Sequence, residues 1–132
     1  MNNYLESLFQ LKNKIVVVTG AAGQLGAEFV RGFLKAGAKV AAFDINLKNP
    51  KGSLKNIQSK DLILVKVDIT HKDSLKKGLA RVISCFGDPD VLVNNAALDT
   101  PPNTSKFNTG SFETYPEELW DTMIKVNLKG MF

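Results

Sequence analysis

The chain runs Ile15-Val16-Val17-Val18 and then, without a break, Thr19-Gly20-Ala21-Ala22-Gly23-Gln24-Leu25-Gly26. The apolar run suits a buried strand and the residues after the glycines recur at helical spacing, so the segment predicts strand, glycine turn and helix. Glycines three apart admit φ > 0 and let backbone N–H groups approach a ligand closely, while the helix start adds the positive end of its dipole. The predicted product is a phosphate cradle. Asp44 comes 24 positions after Gly20, at the end of a second apolar run, Val40-Ala41-Ala42-Phe43. A carboxylate placed there accepts hydrogen bonds from a ribose 2′-hydroxyl, and the combination points to a dinucleotide. The glycines do not follow the G-x-G-x-x-G spacing, so the strand before, the helix after and the later acid carry the reading.

Asp44 also bears on which dinucleotide. A 2′-phosphate would lie within a few ångströms of its carboxylate, and like charges at that range repel by about 1 to 4 kcal/mol. No arginine stands at 21–25 or 45–47 to reverse this, and Lys48 is the nearest basic residue after it. NAD is therefore expected over NADP. The competing reading of Asp44 is a loop cap with no ligand.

A length of 132 residues with 44% apolar content allows one modest domain with a real core and not two. The lone Cys85 rules out an intramolecular disulfide, and the lone His71 belongs to no metal-ligand spacing. The first ten residues carry Glu6 and no basic leader, and no apolar stretch approaches the roughly 20 residues of a membrane span. A soluble, cytoplasmic protein without membrane partners is expected. The net charge of +4 is uneven, because residues 48–77 hold eight lysines against Asp61, Asp68 and Asp73. These lysines alternate with strand and helix residues and lack interleaved arginines or aromatics, so they read as solvated faces and not as a nucleic-acid surface.

Periodicity organises the rest. Ala27, Val30, Phe33, Leu34 and Ala38 follow helical spacing and Gly37 supplies a stop, completing one βαβ unit. Residues 46–60 predict a loop with at most a short helix. Leu62 to Val67 predict a third strand ending at Asp68, and Thr70 is placed to cap a helix carrying Leu75, Leu79, Val82, Ile83 and Phe86. Gly87-Asp88-Pro89 breaks that helix before a fourth strand, Val91-Leu92-Val93, which runs into Asn94-Asn95-Ala96-Ala97. Continuous apolar strands separated by helices mean a parallel sheet covered on both faces. Leu98 to Tyr115 form a long connection, expected to shape a substrate entrance; Pro116, Glu117 and Glu118 then open a helix with Leu119, Trp120, Met123, Ile124, Val126 and Leu128 as its apolar surface.

With these elements in order, the chain from Leu11 to Phe132 resembles the short-chain dehydrogenases/reductases. The resemblance rests on the glycine turn at 19–26, on Asp44, on Asp68-Ile69 after the third strand, on Asn94-Asn95-Ala96-Ala97 after the fourth, and on Asn127 within Val126-Asn127-Leu128-Lys129-Gly130. It implies an α/β, Rossmann-type doubly wound parallel sheet, of which this chain supplies the first four strands and their helices. It also implies cofactor-binding roles: Thr19, Gly20, Gly23, Gln24, Leu25 and Gly26 at the pyrophosphate, Asp44 and Ile45 at the adenosine ribose, Asp68 and Ile69 at the adenine, and Asn94, Asn95 and Ala96 at the adjoining ribose. Asn127 would belong to the catalytic set, its main-chain carbonyl holding a water for proton relay.

Two departures accompany the resemblance. Simple members of the family carry glycine where Gln24 and Ala97 stand, and the T-G-x-x-G-x-x-G spacing resembles the extended branch of nucleotide-sugar epimerases and dehydratases. The family's Tyr-x-x-x-Lys pair is also missing: the only tyrosines are Tyr4 and Tyr115, with Leu8 and Leu119 four residues on. The implied function is an NAD-dependent oxidoreductase interconverting a secondary alcohol and a carbonyl, with a sugar derivative as one candidate substrate and a homo-oligomer as the assembly. This chain is expected to be the N-terminal part of a longer single-domain enzyme, inactive alone, with its fourth strand left as an edge. An epimerase or dehydratase, and a non-catalytic NAD-binding module, remain the alternatives.

Overall fold

The computed structural model describes residues 3–48, 53–99 and 111–132. A helix α1 (Asn3–Phe9), not anticipated from the sequence, precedes β1 (Ile15–Thr19), α2 (Gln24–Lys35), β2 (Lys39–Asp44), β3 (Leu62–Lys66), α3 (Lys72–Cys85), β4 (Val91–Val93) and α4 (Glu117–Ile124). Short 3₁₀ turns sit at Ser53–Asn56 and Phe112–Thr114, and α4 passes directly into a π-helical segment, Lys125–Lys129. No described helix is long and apolar enough to cross a membrane.

The four strands form one parallel sheet in the order β3-β2-β1-β4, with Val16 beside Val40 and Val91, and Val18 beside Ala42 and Val93. This is the predicted Rossmann-type arrangement, with β4 at the edge. Alternation along the two central strands divides the core. Val16, Val18, Val40 and Ala42 face Ala27 and Val30 of α2, whereas Val17, Ala41 and Phe43 face Val82 of α3. Val16, Val18, Val30, Val40 and Val82 are fully buried, each stabilising the fold by about 1.5–3 kcal/mol.

Double coverage holds for β1 and β2 only. Leu64 on β3 and Leu92 on β4 are exposed, as are Leu79 and Ile83 among the apolar residues that α3 carries at helical spacing. Gly78 and Val82 are the buried residues of α3 instead, because the missing side chain at 78 brings the helix axis onto Val67 and Phe43 and turns 79 and 83 away from the sheet. The capping prediction also shifts. His71, not Thr70, is the N-cap of α3 and makes no side-chain cap bond. The Thr70 hydroxyl is engaged by the Asp68 carboxylate at 2.7 Å, a shorter-range partner than the first helical amides. Pro116 likewise precedes α4 as its N-cap with extended backbone, one position earlier than a first-turn proline.

The seam between β1 and β4 carries only three strand residues on the β4 side, and side chains pin it at both ends. At the amino end, Asp90 accepts a hydrogen bond from the Ile15 amide at 2.9 Å and one from Lys14 Nζ at 2.7 Å, while the Asp90 amide donates to the Ile15 carbonyl. At the carboxyl end, the buried Thr19 hydroxyl donates to the Val93 carbonyl at 3.3 Å and accepts from the amides of Asn95 and Ala96, both at 3.1 Å. A hydroxyl offers one donor and two acceptor sites, so Thr19 is fully matched.

Replacing Thr19 with Val keeps the shape but leaves two amides without their acceptor, and should lower the unfolding free energy by about 1–3 kcal/mol in urea titrations. Thr19→Ser should retain most of it; a Val variant as stable as the wild type would contradict the pin. Asp90 makes a pH-dependent prediction. The Lys14 hydrogen bond, then the Ile15 amide, hold its carboxyl below the ordinary 3.8. A depressed folded value means that its contribution is present above the ordinary value and disappears as pH falls through the lower, folded one. Asp90→Asn should therefore show a shallower fall in Tm than the wild type as pH drops from about 5 to about 3.

Candidate functional site

Parallel strands put all four carboxyl ends on one side of the sheet, where such folds bind ligands. A cleft of about 630 Å³ opens there, within the ~300–1,000 Å³ typical of small-molecule and cofactor sites. Its wall is assembled from the glycine turn and first turn of α2, from Asp44, Ile45 and Asn46 after β2, from Val67, Asp68 and Ile69 after β3, from residues 95–98 after β4, and from Val126.

The turn is shaped by close backbone approach. Gly20 has φ +63°, and a Cβ there would stand 2.7 Å from Ala96 Cα; a Cβ on Gly26 would overlap the Gly20 carbonyl. Only glycine permits either contact. Gly23 is the N-cap of α2 with extended backbone, no side chain caps the helix, and no acidic residue occupies its first turn. The first amides of a helix have no partner within it, so this start presents uncapped donors and the positive dipole end to the cleft. That donor set fits a pyrophosphate.

Asp44 holds the turn against β2. Its Oδ2 accepts from the Ala22 amide and its Oδ1 from the Asn46 amide, each at 2.9 Å. The loop-cap role is thus real, and it does not compete with a ribose role, because a carboxylate has about four lone-pair sites and Asp44 remains on the cleft wall. Asp68 is more heavily engaged. Its Oδ1 accepts from the Thr70 amide at 2.8 Å and hydroxyl at 2.7 Å, its Oδ2 lies 3.0 Å from His71 Nδ1, and its amide donates to Ser74 Oγ. Partial burial pushes this carboxyl up, but the Thr70 hydrogen bonds and His71 together outweigh it and hold it below the ordinary range.

Of the residues assigned from sequence, Gly20, Gly23, Gln24, Leu25, Gly26, Asp44, Ile45, Asp68, Ile69, Asn95 and Ala96 line the cleft. Thr19 lies beneath it, buried in the seam, and Asn94 is exposed away from the lining. The side chain of Asn95 is committed to main chain, Nδ2 donating to the carbonyls of Thr19 at 2.9 Å and Gly20 at 3.1 Å. Asn127 also turns inward. Its Nδ2 donates to the Leu98 carbonyl and its Oδ1 accepts from the Leu98 amide, both at 2.8 Å, a two-point clamp between the π segment and the irregular segment following β4. Ala22, Asn46, Val67, Ala97, Leu98 and Val126 complete the wall without having been anticipated. Val67 and Ala97 adjoin assigned residues in sequence, whereas Leu98 enters through the Asn127 clamp, which no local pattern announces. Residues 100–110, most of the connection expected to shape a substrate entrance, lie outside the described residues.

Comparison with known proteins agrees with this geometry. The family model described as short chain dehydrogenase matches residues 14–132. The chain is 32% identical over 124 residues to an NAD-dependent glycerol dehydrogenase of Listeria innocua, covering 94% of this chain and 45% of that protein. It is 33% identical over 128 residues to a 3-oxoacyl-[acyl-carrier-protein] reductase of Thermotoga maritima, covering 93% and 48%. A crystal structure of 3-ketoacyl-(acyl-carrier-protein) reductase from Brucella melitensis complexed with NADH superposes with TM-score 0.78 at 27% identity, covering 92% of this chain and 47% of that one. The chain thus spans about half the length of these proteins. With a glycine turn feeding α2, a 3-2-1-4 parallel sheet and a family match over nearly its whole length, this chain belongs to the short chain dehydrogenase family.

Proposed function

We propose that this chain is the NAD-binding part of an oxidoreductase that interconverts a secondary alcohol and a carbonyl on a small molecule. The observation that carries the reading is the pairing of an uncapped α2 start with the Asp44 carboxylate on the same cleft wall. The first-turn amides of α2 hold the pyrophosphate, Asp44 with Ile45 receives the adenosine ribose, and Asp68 with Ile69 borders the adenine. Ala96 and the main chain around it approach the second ribose. When bound, the nicotinamide ring supplies or accepts the hydride. The NAD-dependent relative and the NADH-bound neighbour support the choice of NAD, and so does the repulsion between Asp44 and a 2′-phosphate.

Asn127 acts by position. Its clamp on Leu98 fixes the backbone that leaves β4 along the cleft, which is where the reacting carbon of a substrate would meet the cofactor. The proton donor for the substrate oxygen is not among Tyr4 and Tyr115, neither of which has a lysine four residues on.

Isothermal titration of the chain with NAD+ and NADP+ tests the reading. NAD+ should bind at least about fivefold more tightly, the low end of about 1–4 kcal/mol of charge repulsion. Asp44→Ala should weaken NAD+ binding and bring the two affinities together. Equal affinity for both cofactors in the wild type, or no heat with either, would remove the proposal.

A further inference from the structure

Ile69, Leu98 and Val126 are all part of the cleft wall. They come from three separate parts of the chain, and all three converge on the π segment that follows α4. Leu98 is clamped by Asn127 at 2.8 Å through both its amide and its carbonyl. Val126 belongs to the segment itself. Ile69 reaches it through Gly130: a Cβ at 130 would stand 2.7 Å from Ile69 Cδ1, 3.0 Å from Ile69 Cγ1 and 2.6 Å from the Val126 carbonyl oxygen. The Gly130 amide closes the wide turn by donating to the Lys125 carbonyl at 2.9 Å. Such turns are rare in proteins and concentrate at functional sites.

We infer that Gly130 is a positioning residue that locks the adenine-side wall of the cleft, Ile69, to the Asn127 clamp on Leu98. The inference rests on the cofactor reading for the meaning of Ile69, but the mechanical link is a property of the packing. A side chain at 130 must displace either Ile69 or the Val126 carbonyl. The carbonyl belongs to the turn that carries Asn127, so the displacement reaches the clamp. A nucleotide that presses on Ile69 and Val126 acts on the same block from the other side. Cofactor occupancy and the orientation of Asn127 are thereby coupled across a single glycine.

The test is Gly130→Ala in this chain, with two readouts. Hydrogen exchange of the Leu98 amide, whose acceptor is Asn127 Oδ1, should speed up about tenfold, while amides of the central strands at Val16 and Val40 keep their protection. The Kd for NAD+ should rise about tenfold. Adding Ile69→Val, which removes the Cδ1 that meets position 130, should recover part of both effects in the Gly130→Ala background, although Ile69→Val alone weakens NAD+ binding slightly. Uniform loss of protection across the sheet, unchanged Leu98 exchange, or no recovery on adding Ile69→Val would overturn the inference. If the wild type binds no NAD+, the cofactor reading fails and the exchange experiment decides the link alone: a rise confined to Leu98 and residues 125–130 supports it, and its absence sinks it.

Discussion

Three segments of backbone meet at the Gly20 carbonyl. It accepts hydrogen bonds from the Gly23 amide and from Asn95 Nδ2, both at 3.1 Å, and it lies against Gly26 with no room for a Cβ between them. Its own α-carbon packs on Ala96. One backbone corner therefore joins β1, the start of α2 and the exit from β4. The consequence is geometric: α2 begins close above the strand ends with its first amides uncapped, and the cleft exists because no side chain stands in that corner.

Around this corner, polar side chains tie backbone segments together more than they reach into open space. Asp44 fastens the glycine turn to β2, Thr19 and Asn95 fasten β1 to β4, Asp68 orders the turn into α3, and Asn127 fastens the π segment to Leu98. A buried or half-buried polar group without a partner costs about 1–3 kcal/mol, so each of these residues is structurally constrained before any ligand arrives. Structural and ligand-binding roles do not compete here. A carboxylate or amide held by main-chain partners is already oriented and loses little further freedom on binding.

Element type and order were legible from the chain because the signals are local: β-branched runs for strands, helical spacing in α2, and the break at Gly87, whose φ is +107°. The glycine turn was legible for the same reason. The exposure of Leu79 and Ile83 was not, since apolar spacing on a helix does not say which stripe meets the sheet when a glycine at 78 lets the helix sink closer. Nor was the capping of α3, where Asp68 captured the Thr70 hydroxyl. At the cleft, the residues on the turn and next to the strand ends were foreseeable by position. Asn94 points away from the lining although Asn95 and Ala96 lie on it, because the fate of each neighbour depends on where β4 stops and the chain turns.

The sequence by itself determined the alternation of strand and helix, the site of the glycine turn, and an acid at the end of the second strand, since each depends on a few contiguous residues and on backbone sterics. Tertiary structure alone decided that Leu98, Val126 and Ile69 share one wall, that Asn127 faces inward as a clamp, and that Gly130 sits behind them. Those contacts join residues up to 61 positions apart, as between Ile69 and Gly130. Their existence depends on the packing of whole elements, which no window of local sequence encodes.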